Sequence, residues 1–283
     1  MKVSHVHKAL IFLCLIWGFN FVVMKTANFY FSPELFVTYR FGLGAIILVA
    51  TIFFLKLPAP PKNLWGWILL SAIFQISIGT ILCQYSFRFL PAGLVSMLNY
   101  TMPVWVSILA YFFLKEPLTK KKICGIILSV IGVAFLMNVN VGGKFSAMLI
   151  PLAAALAWAI GNVIMKAKLS KLNPMVLTTW QMSVGAILLA IYTFSFGEIE
   201  VRWTFISVAC LIYNGIIASA IAFFLWAYIL DNMEASKASI SVLGVPVVGV
   251  LGGVIFLSEP LTISMIVGMF MVLAGIFLVQ HSK

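Results

Sequence analysis

The chain has 283 residues, of which 63% are hydrophobic and 9% charged, and its formal net charge is +11. A soluble protein of this size must carry charge over its surface, so a chain this apolar is an integral membrane protein. Its apolar runs are continuous rather than alternating, which excludes a β-barrel, and its Lys and Arg lie in short loops between those runs, where topogenic charge explains them better than a nucleic-acid partner does.

Punctuation by Pro, Gly and charge predicts an all-α protein of ten transmembrane helices, over 7–26, 33–55, 65–87, 91–114, 121–138, 147–167, 175–196, 204–229, 236–257 and 261–280. Apolar runs of about 20 residues suit a hydrocarbon core roughly 30 Å thick. The first run follows Lys2 and Lys8 in the manner of a signal sequence. It continues to about Met24 without a small-x-small cleavage site, so an uncleaved first helix is expected. Pro33, Pro91 and Pro174 sit at helix starts, where the missing N–H costs nothing. Pro103 and Pro246 fall inside the fourth and ninth spans, where a proline kinks the helix and frees a carbonyl. Gly125 and Gly132 in the fifth helix return as Gly268 and Gly275 in the tenth. Each pair permits close helix approach, which suits a scaffold or a homodimer contact.

The chain says nearly the same thing twice. Trp17 to Lys25 reads WGFNFVVMK, and Trp158 to Lys166 reads WAIGNVIMK. Glu116-Pro117-Leu118-Thr119 returns as Glu259-Pro260-Leu261-Thr262. Between these anchors Pro33, Gly44, Tyr85 and Pro103 recur as Pro174, Gly185, Tyr228 and Pro246, at an offset of 141 early and 143 late. A repeat this long is a duplicated domain half, here residues 1–140 and 141–283. With both termini in the cytoplasm, thirteen Lys and Arg fall inside and five outside. Five helices per half is an odd number, so the second half is inverted. The charges agree: the first Glu-Pro-Leu-Thr is followed by Lys120, Lys121 and Lys122, while its twin has no Lys or Arg after it. Inverted five-helix repeats related by an axis in the membrane plane are a construction of secondary transporters.

Polar side chains in hydrocarbon are costly without partners, so each is a candidate functional group. Trp17 and Asn20 are three apart and Trp158 and Asn162 four apart, so each pair shares a helix face. Inversion brings the two faces together near the midplane. They then line a cavity for a ligand with an apolar body and a polar head, or they serve as helix–helix glue. Arg40, about seven residues into the second helix, either binds a carboxylate or phosphate or snorkels and caps carbonyls. Its counterpart is the uncharged Gln181. Gln75, Gln84, Asn99, Trp105, Trp180 and Asn214 suit packing or an interfacial belt. Tyr85 and Tyr228 gain weight from duplication, and Tyr100 from standing three residues before Pro103.

The absences matter as well. Asp231 is the single Asp and lies in a loop, the carboxylates sit at or near helix ends, and His5, His7 and His281 are terminal. No proton relay of the usual kind, no hydrolase constellation, no nucleotide-binding loop and no pore filter is present. Cys14, Cys83, Cys124 and Cys210 lack CxxC spacing and read as small packing residues, so no metal and no cofactor are expected. An enzyme on lipid head groups would have only Glu198, Glu200 and Arg202 to work with.

With ten helices, two repeats, a Trp-x-x-Asn type signature in the first helix of each half and Glu-Pro-Leu-Thr after each fourth helix, the chain resembles the EamA-type exporters of the drug/metabolite transporter superfamily. The second copy departs by one residue, since Trp158 and Asn162 are four apart. The resemblance implies a non-enzymatic, multi-pass carrier of the bacterial inner membrane that moves amino acids, other small metabolites or toxic compounds outward. It also implies a cavity lined by helices one, three, four, six, eight and nine, with four and nine bending. The expected function is therefore export of a small, partly apolar metabolite by alternating access, as uniport or weakly coupled exchange. Substrate contacts are expected from Trp17, Asn20, Arg40, Tyr85, Tyr100, Trp158, Asn162 and Tyr228, with Pro103 and Pro246 as hinges. The alternatives are a nucleotide-sugar or sugar-phosphate carrier and a non-transporting membrane scaffold.

Overall fold

The computed structural model describes residues 2–137, 145–234, 238, 242 and 244–280. Lys144, Lys237, Lys283 and His281, and the start of the ninth predicted span, lie outside the described residues. In chain order the long helical elements are α1 (Lys2–Ala27), α2 (Pro33–Phe54), α3 (Lys62–Ser86), α4 (Ala92–Leu114), α5 (Lys120–Met137), α6 (Phe145–Leu169), α7 (Pro174–Phe196), α8 (Phe205–Asn232), α9 (Gly244–Leu257) and α10 (Ile263–Gln280). Among the described residues, seven helices, counting α1 from Lys8 to Ala27, are long and apolar enough to cross a membrane: α1 to α4 and α6 to α8. α9 is shorter, and α5 opens on three lysines. Helices dominate because a backbone in hydrocarbon must satisfy its own N–H and C=O groups. The protein is a multi-pass membrane protein.

The helix ends follow the sequence. Pro33 and Pro174 open α2 and α7, and Asn173 caps α7 by accepting from the Met175 N–H at 2.9 Å. Thr204 and Ser207 form a reciprocal capping box at α8. Lys115 and Ser258 both end their helices in the left-handed region, at φ 57° and 54°. In both places the following Glu N–H reaches back into the helix: Glu116 donates to the Ala110 carbonyl and Glu259 to the Gly253 carbonyl.

Three spans are not uniform α-helix. Residues Ala72–Ile78 of α3, Tyr213–Ile221 of α8 and Met165–Leu169 of α6 are π-helical, a local widening often found at functional sites. α4 is broken rather than kinked. It runs Ala92–Asn99, stops at Tyr100 and Thr101, and restarts at Met102 with Pro103 in its first turn. Pro103 has no N–H to give the carbonyl four residues back, and its ring excludes that carbonyl, so a restart with proline near N1 costs less. Pro246 is the third residue of α9 as described. Pro151 lies inside α6, where the sequence reading had no kink.

Packing follows one pattern twice. α1 packs on α9 as α6 packs on α4, and α2 packs against α7. The π segment of α8 contacts α2, and that of α3 contacts α7. α5 and α10 pack chiefly on each other. Their glycines make that approach possible: a Cβ on Gly132 would stand 2.9 Å from the Gly268 carbonyl oxygen and 2.8 Å from the Val272 nitrogen. The two glycine faces therefore meet within one chain instead of offering a dimer contact. A Gly132→Ala variant should lose about 1–2 kcal/mol, because backbone must move to admit the methyl. The check is thermal unfolding of the detergent-purified protein, and an unchanged midpoint would refute it.

Candidate functional site

The first half of each repeat sends a tryptophan to the centre of the bundle. Trp17 on α1 and Trp158 on α6 meet edge to face, their ring centroids 5.5 Å apart. Phe223 of α8 completes an aromatic cluster, 5.7 Å from Trp17 and 5.4 Å from Trp158. The Trp17 indole N–H donates to the Ala218 carbonyl at 3.1 Å, inside the π segment of α8. This contact fixes the ring and uses a carbonyl in the segment where α-helical bonding is interrupted.

Beside the cluster lies a narrow cavity of about 60 Å³, smaller than the roughly 300–1,000 Å³ usual for small-molecule sites, so a bound substrate must widen it. Trp17, Asn20, Phe21 and Met24 line it from α1, Arg40 from α2 and Thr80 and Cys83 from α3. Asn99, Tyr100 and Met102 enter from the break in α4, with Trp158 and Phe223 from α6 and α8. The break thus turns irregular backbone toward a cavity, the setting in which a membrane protein tolerates it. Among the described residues no Asp, Glu, His or Lys lines it.

Three buried atoms on this lining have no partner among the described residues: Asn20 Oδ1, Arg40 Nη1 and Asn99 Oδ1. Arg40 is 3% exposed; its Nε donates to Ser219 Oγ at 3.1 Å, and its guanidinium carbon stands 4.7 Å from the Phe41 ring centroid. Asn20 Nδ2 has only the Met24 sulfur, at 3.1 Å.

Five of the eight predicted binding residues, Trp17, Asn20, Arg40, Tyr100 and Trp158, therefore share one cavity. The other three do not line it. Asn162 is fully buried in a side-chain network: its Oδ1 accepts from Gln75 Nε2 and from the Trp226 indole N–H, both at 2.9 Å. Gln75 Oε1 in turn accepts from Gln181 Nε2 at 2.8 Å. The Asn162 oxygen is held by α3 and α8, and its Nδ2 has the Met102 sulfur at 3.4 Å, so Asn162 meets the cavity wall through Met102. Tyr85 lies near the C-terminal end of α3, where its hydroxyl accepts from Arg88 Nη1 at 3.2 Å. Tyr228 is half-buried near the end of α8, and its carbonyl accepts from Asn232. Cavity residues that the sequence reading passed over include Phe21 and Met24. They continue the Trp17–Asn20 face at helical spacing, which is the signal that finds them. α2 also contributes to the lining, and α9 does not among the described residues.

The ends of the site are tied down. Lys25 Nζ donates to the Phe87 and Leu90 carbonyls at 2.6 and 3.0 Å, capping the end of α3. Lys166 Nζ does the same for α8, with Leu230 and Met233 at 2.9 and 2.7 Å. At the same end of the bundle as Lys25, Phe31 and Val201 form an isolated antiparallel bridge, and Arg88 pairs with Glu198 at 2.5 Å. Partial burial works against the Arg88 charge, but the Glu198 bond and the neighbouring Tyr85 outweigh it and raise its pKa. One of the carboxylates at a helix end is buried. Glu34 is 4% exposed with Oε2 unpartnered, because Gly197 and the chain after α7 fold over the start of α2.

The EamA-like transporter family profile matches residues 7–138 and again 145–280. The chain is 30% identical to the uncharacterized transporter YoaV of Bacillus subtilis, over 95% of this chain and 94% of that one. It is 29% identical to a protein of Salmonella typhimurium named "Probable amino-acid metabolite efflux pump", over 93% of this chain and 90% of that one. One crystal structure superposes with a TM-score of 0.72 over 97% of this chain and 96% of that one, at 17% identity, so the likeness is one of fold.

Proposed function

Because this chain belongs to the EamA-like transporter family, we propose that it exports small, partly apolar metabolites, amino acids or related compounds, across the bacterial inner membrane by alternating access. It is a membrane transporter and not an enzyme. In this reading the ten helices cross the membrane as two inverted five-helix repeats, residues 1–140 and 141–283, with both termini cytoplasmic. The doubled features support the inversion. Lys25 and Lys166 cap equivalent helix ends, π turns recur in α3 and α8, and left-handed residues precede both Glu-Pro motifs. The excess of Lys and Arg on one side supports the orientation.

One observation carries the reading: an aromatic cavity at the meeting of α1 and α6 that keeps unpaired polar atoms in a fold where such atoms are expensive. Trp17 and Trp158 would hold the apolar body, while Asn20, Arg40 and Tyr100 would hold the polar head. Asn162 would act from behind, through Gln75 and Trp226. α4 and α9 would flex at Pro103 and Pro246, and the break at Tyr100 and Thr101 supports this for α4. Among the described residues the lining holds no carboxylate or histidine, which supports uniport or exchange without protons. A transport rate that follows an imposed pH gradient would contradict it. A sugar-phosphate carrier would want several basic residues in the cavity, and Arg40 is alone there.

The test is export from a bacterial host at matched membrane abundance. One class of compound should leave cells that make the wild type, and about tenfold less of it should leave with Asn20→Ala, since one hydrogen bond of that class is worth roughly a factor of ten. Coincident profiles would remove Asn20 from the site. A wild type that moves no amino acid or related compound, compared with empty cells, would overturn the exporter reading in favour of a scaffold.

A further inference from the structure

Arg40 is a buried cation without a counter-ion. Of its nitrogens, Nε is used by Ser219, and Nη1 is buried with no partner. No ion pair involves it among the described residues, and the cavity lining contains no carboxylate. A guanidinium removed from water is tolerated when a planar anion completes its fork of donors. The remaining unpaired atoms on the same lining have the opposite character. Asn20 Oδ1 and Asn99 Oδ1 are acceptors that want a donor. Only three of the eight unpartnered buried side-chain atoms among the described residues are on this lining, and they comprise one cationic donor and two amide acceptors. Between them stand Trp17, Trp158, Tyr100 and Phe223, whose faces suit an apolar body and also attract a cation.

Resting on the carrier reading above, we propose that Arg40 is the specificity-determining residue of the cavity and that it receives a carboxylate of the substrate. The ligand class is a monocarboxylate with an apolar body, and its best member is a zwitterion whose ammonium faces the Asn20 and Asn99 carbonyl oxygens. Two details follow. A phosphate dianion would bring two charges to one guanidinium and is disfavoured. The repeat counterpart Gln181 cannot substitute for Arg40, because its amide is already committed to Gln75, so the substrate binds in one orientation with its acid end toward α2.

The experiment is ligand-induced thermal stabilisation of the full-length protein in detergent, with two matched series. One is L-leucine, L-leucinol and 4-methylpentanoate, and the other is L-phenylalanine, L-phenylalaninol and 3-phenylpropanoate. The amino acids and the acids should bind, and the alcohols should bind about 10- to 100-fold more weakly, the range for losing a charge-assisted bond. Arg40→Gln should lose the discrimination between acid and alcohol, and Arg40→Lys should keep it. Alcohols that bind as well as acids, or an Arg40→Gln variant that still discriminates, would overturn the carboxylate assignment while leaving the carrier reading intact. Binding of no member of either series would overturn both. If Arg40→Gln does not fold, the wild-type series together with Arg40→Lys decides the matter.

Discussion

An Asn162→Ala variant is expected to lose about 2–4 kcal/mol of stability, with two indole and amide donors left buried and unpaired. Asn162 is the acceptor on which α3, α6, α7 and α8 converge. Gln75 and Trp226 both donate to its Oδ1, and Gln181 is joined to it through Gln75. Gln75 is completely buried and Trp226 is 1% exposed, so water does not replace the lost acceptor. Asn20 differs in kind, since its removal strands no donor. The duplicated asparagines thus separate by assay: Asn162→Ala lowers the unfolding midpoint in detergent, and Asn20→Ala changes transport at nearly unchanged midpoint. A second variant sharpens the claim. Trp226→Phe removes one of the two stranded donors, so Asn162→Ala with Trp226→Phe should cost less than the sum of the single losses. Strict additivity would refute the network account. A fully stable but transport-dead Asn162→Ala would move Asn162 into the substrate shell.

The outline of this molecule is legible in its sequence because the bilayer simplifies the rules. Apolar runs become helices, prolines mark starts and breaks, and the Trp17–Asn20 spacing names a face that Phe21 and Met24 extend. What the sequence hides is partnership. Asn162 reads as the twin of Asn20, yet it takes partners from α3 and α8 that no local pattern announces. Glu34 reads as a helix-end carboxylate, and its burial depends on a connection more than a hundred and sixty positions later, where Gly197 packs on it. The π turns of α3 and α8 carry no residue that dictates them. They are nonetheless paired by the repeat offset, so the duplication that is plain in the sequence predicts that one implies the other. Arg40 was equally open to snorkelling or to binding a ligand on sequence alone. The lack of any carboxylate among the described residues of the cavity lining, and its unpartnered Nη1, are facts of three dimensions.

The second large effect is expected at Glu259. Its carboxylate caps the start of α4 from the connection between α9 and α10: Oε1 accepts from the Ala92 N–H at 2.5 Å and Oε2 from the Gly93 N–H at 2.9 Å. Two of the orphan donors of a helix N-terminus are satisfied at once, by a charge of the sign that the helix dipole favours. Glu259→Ala should cost about 2–3 kcal/mol, near the upper end for a cap because both oxygens are used. Glu259→Gln keeps one acceptor and loses the charge, so its unfolding midpoint should fall between the two. The loss should also reach transport, because the short first half of α4 ends at Asn99 and Tyr100 on the cavity wall. A helix of eight residues that loses its cap frays toward that wall. Gly253 provides an independent check. A Cβ at that position would collide with Glu259 Oε2 and stand 3.2 Å from its carboxyl carbon. Gly253→Ala should therefore expel the carboxylate and reproduce the Glu259→Ala phenotype without touching Glu259. In Gly253→Ala with Glu259→Ala the two losses should not add. If they add in full, the cap is not what Gly253 protects, and the coupling between the second Glu-Pro motif and α4 fails.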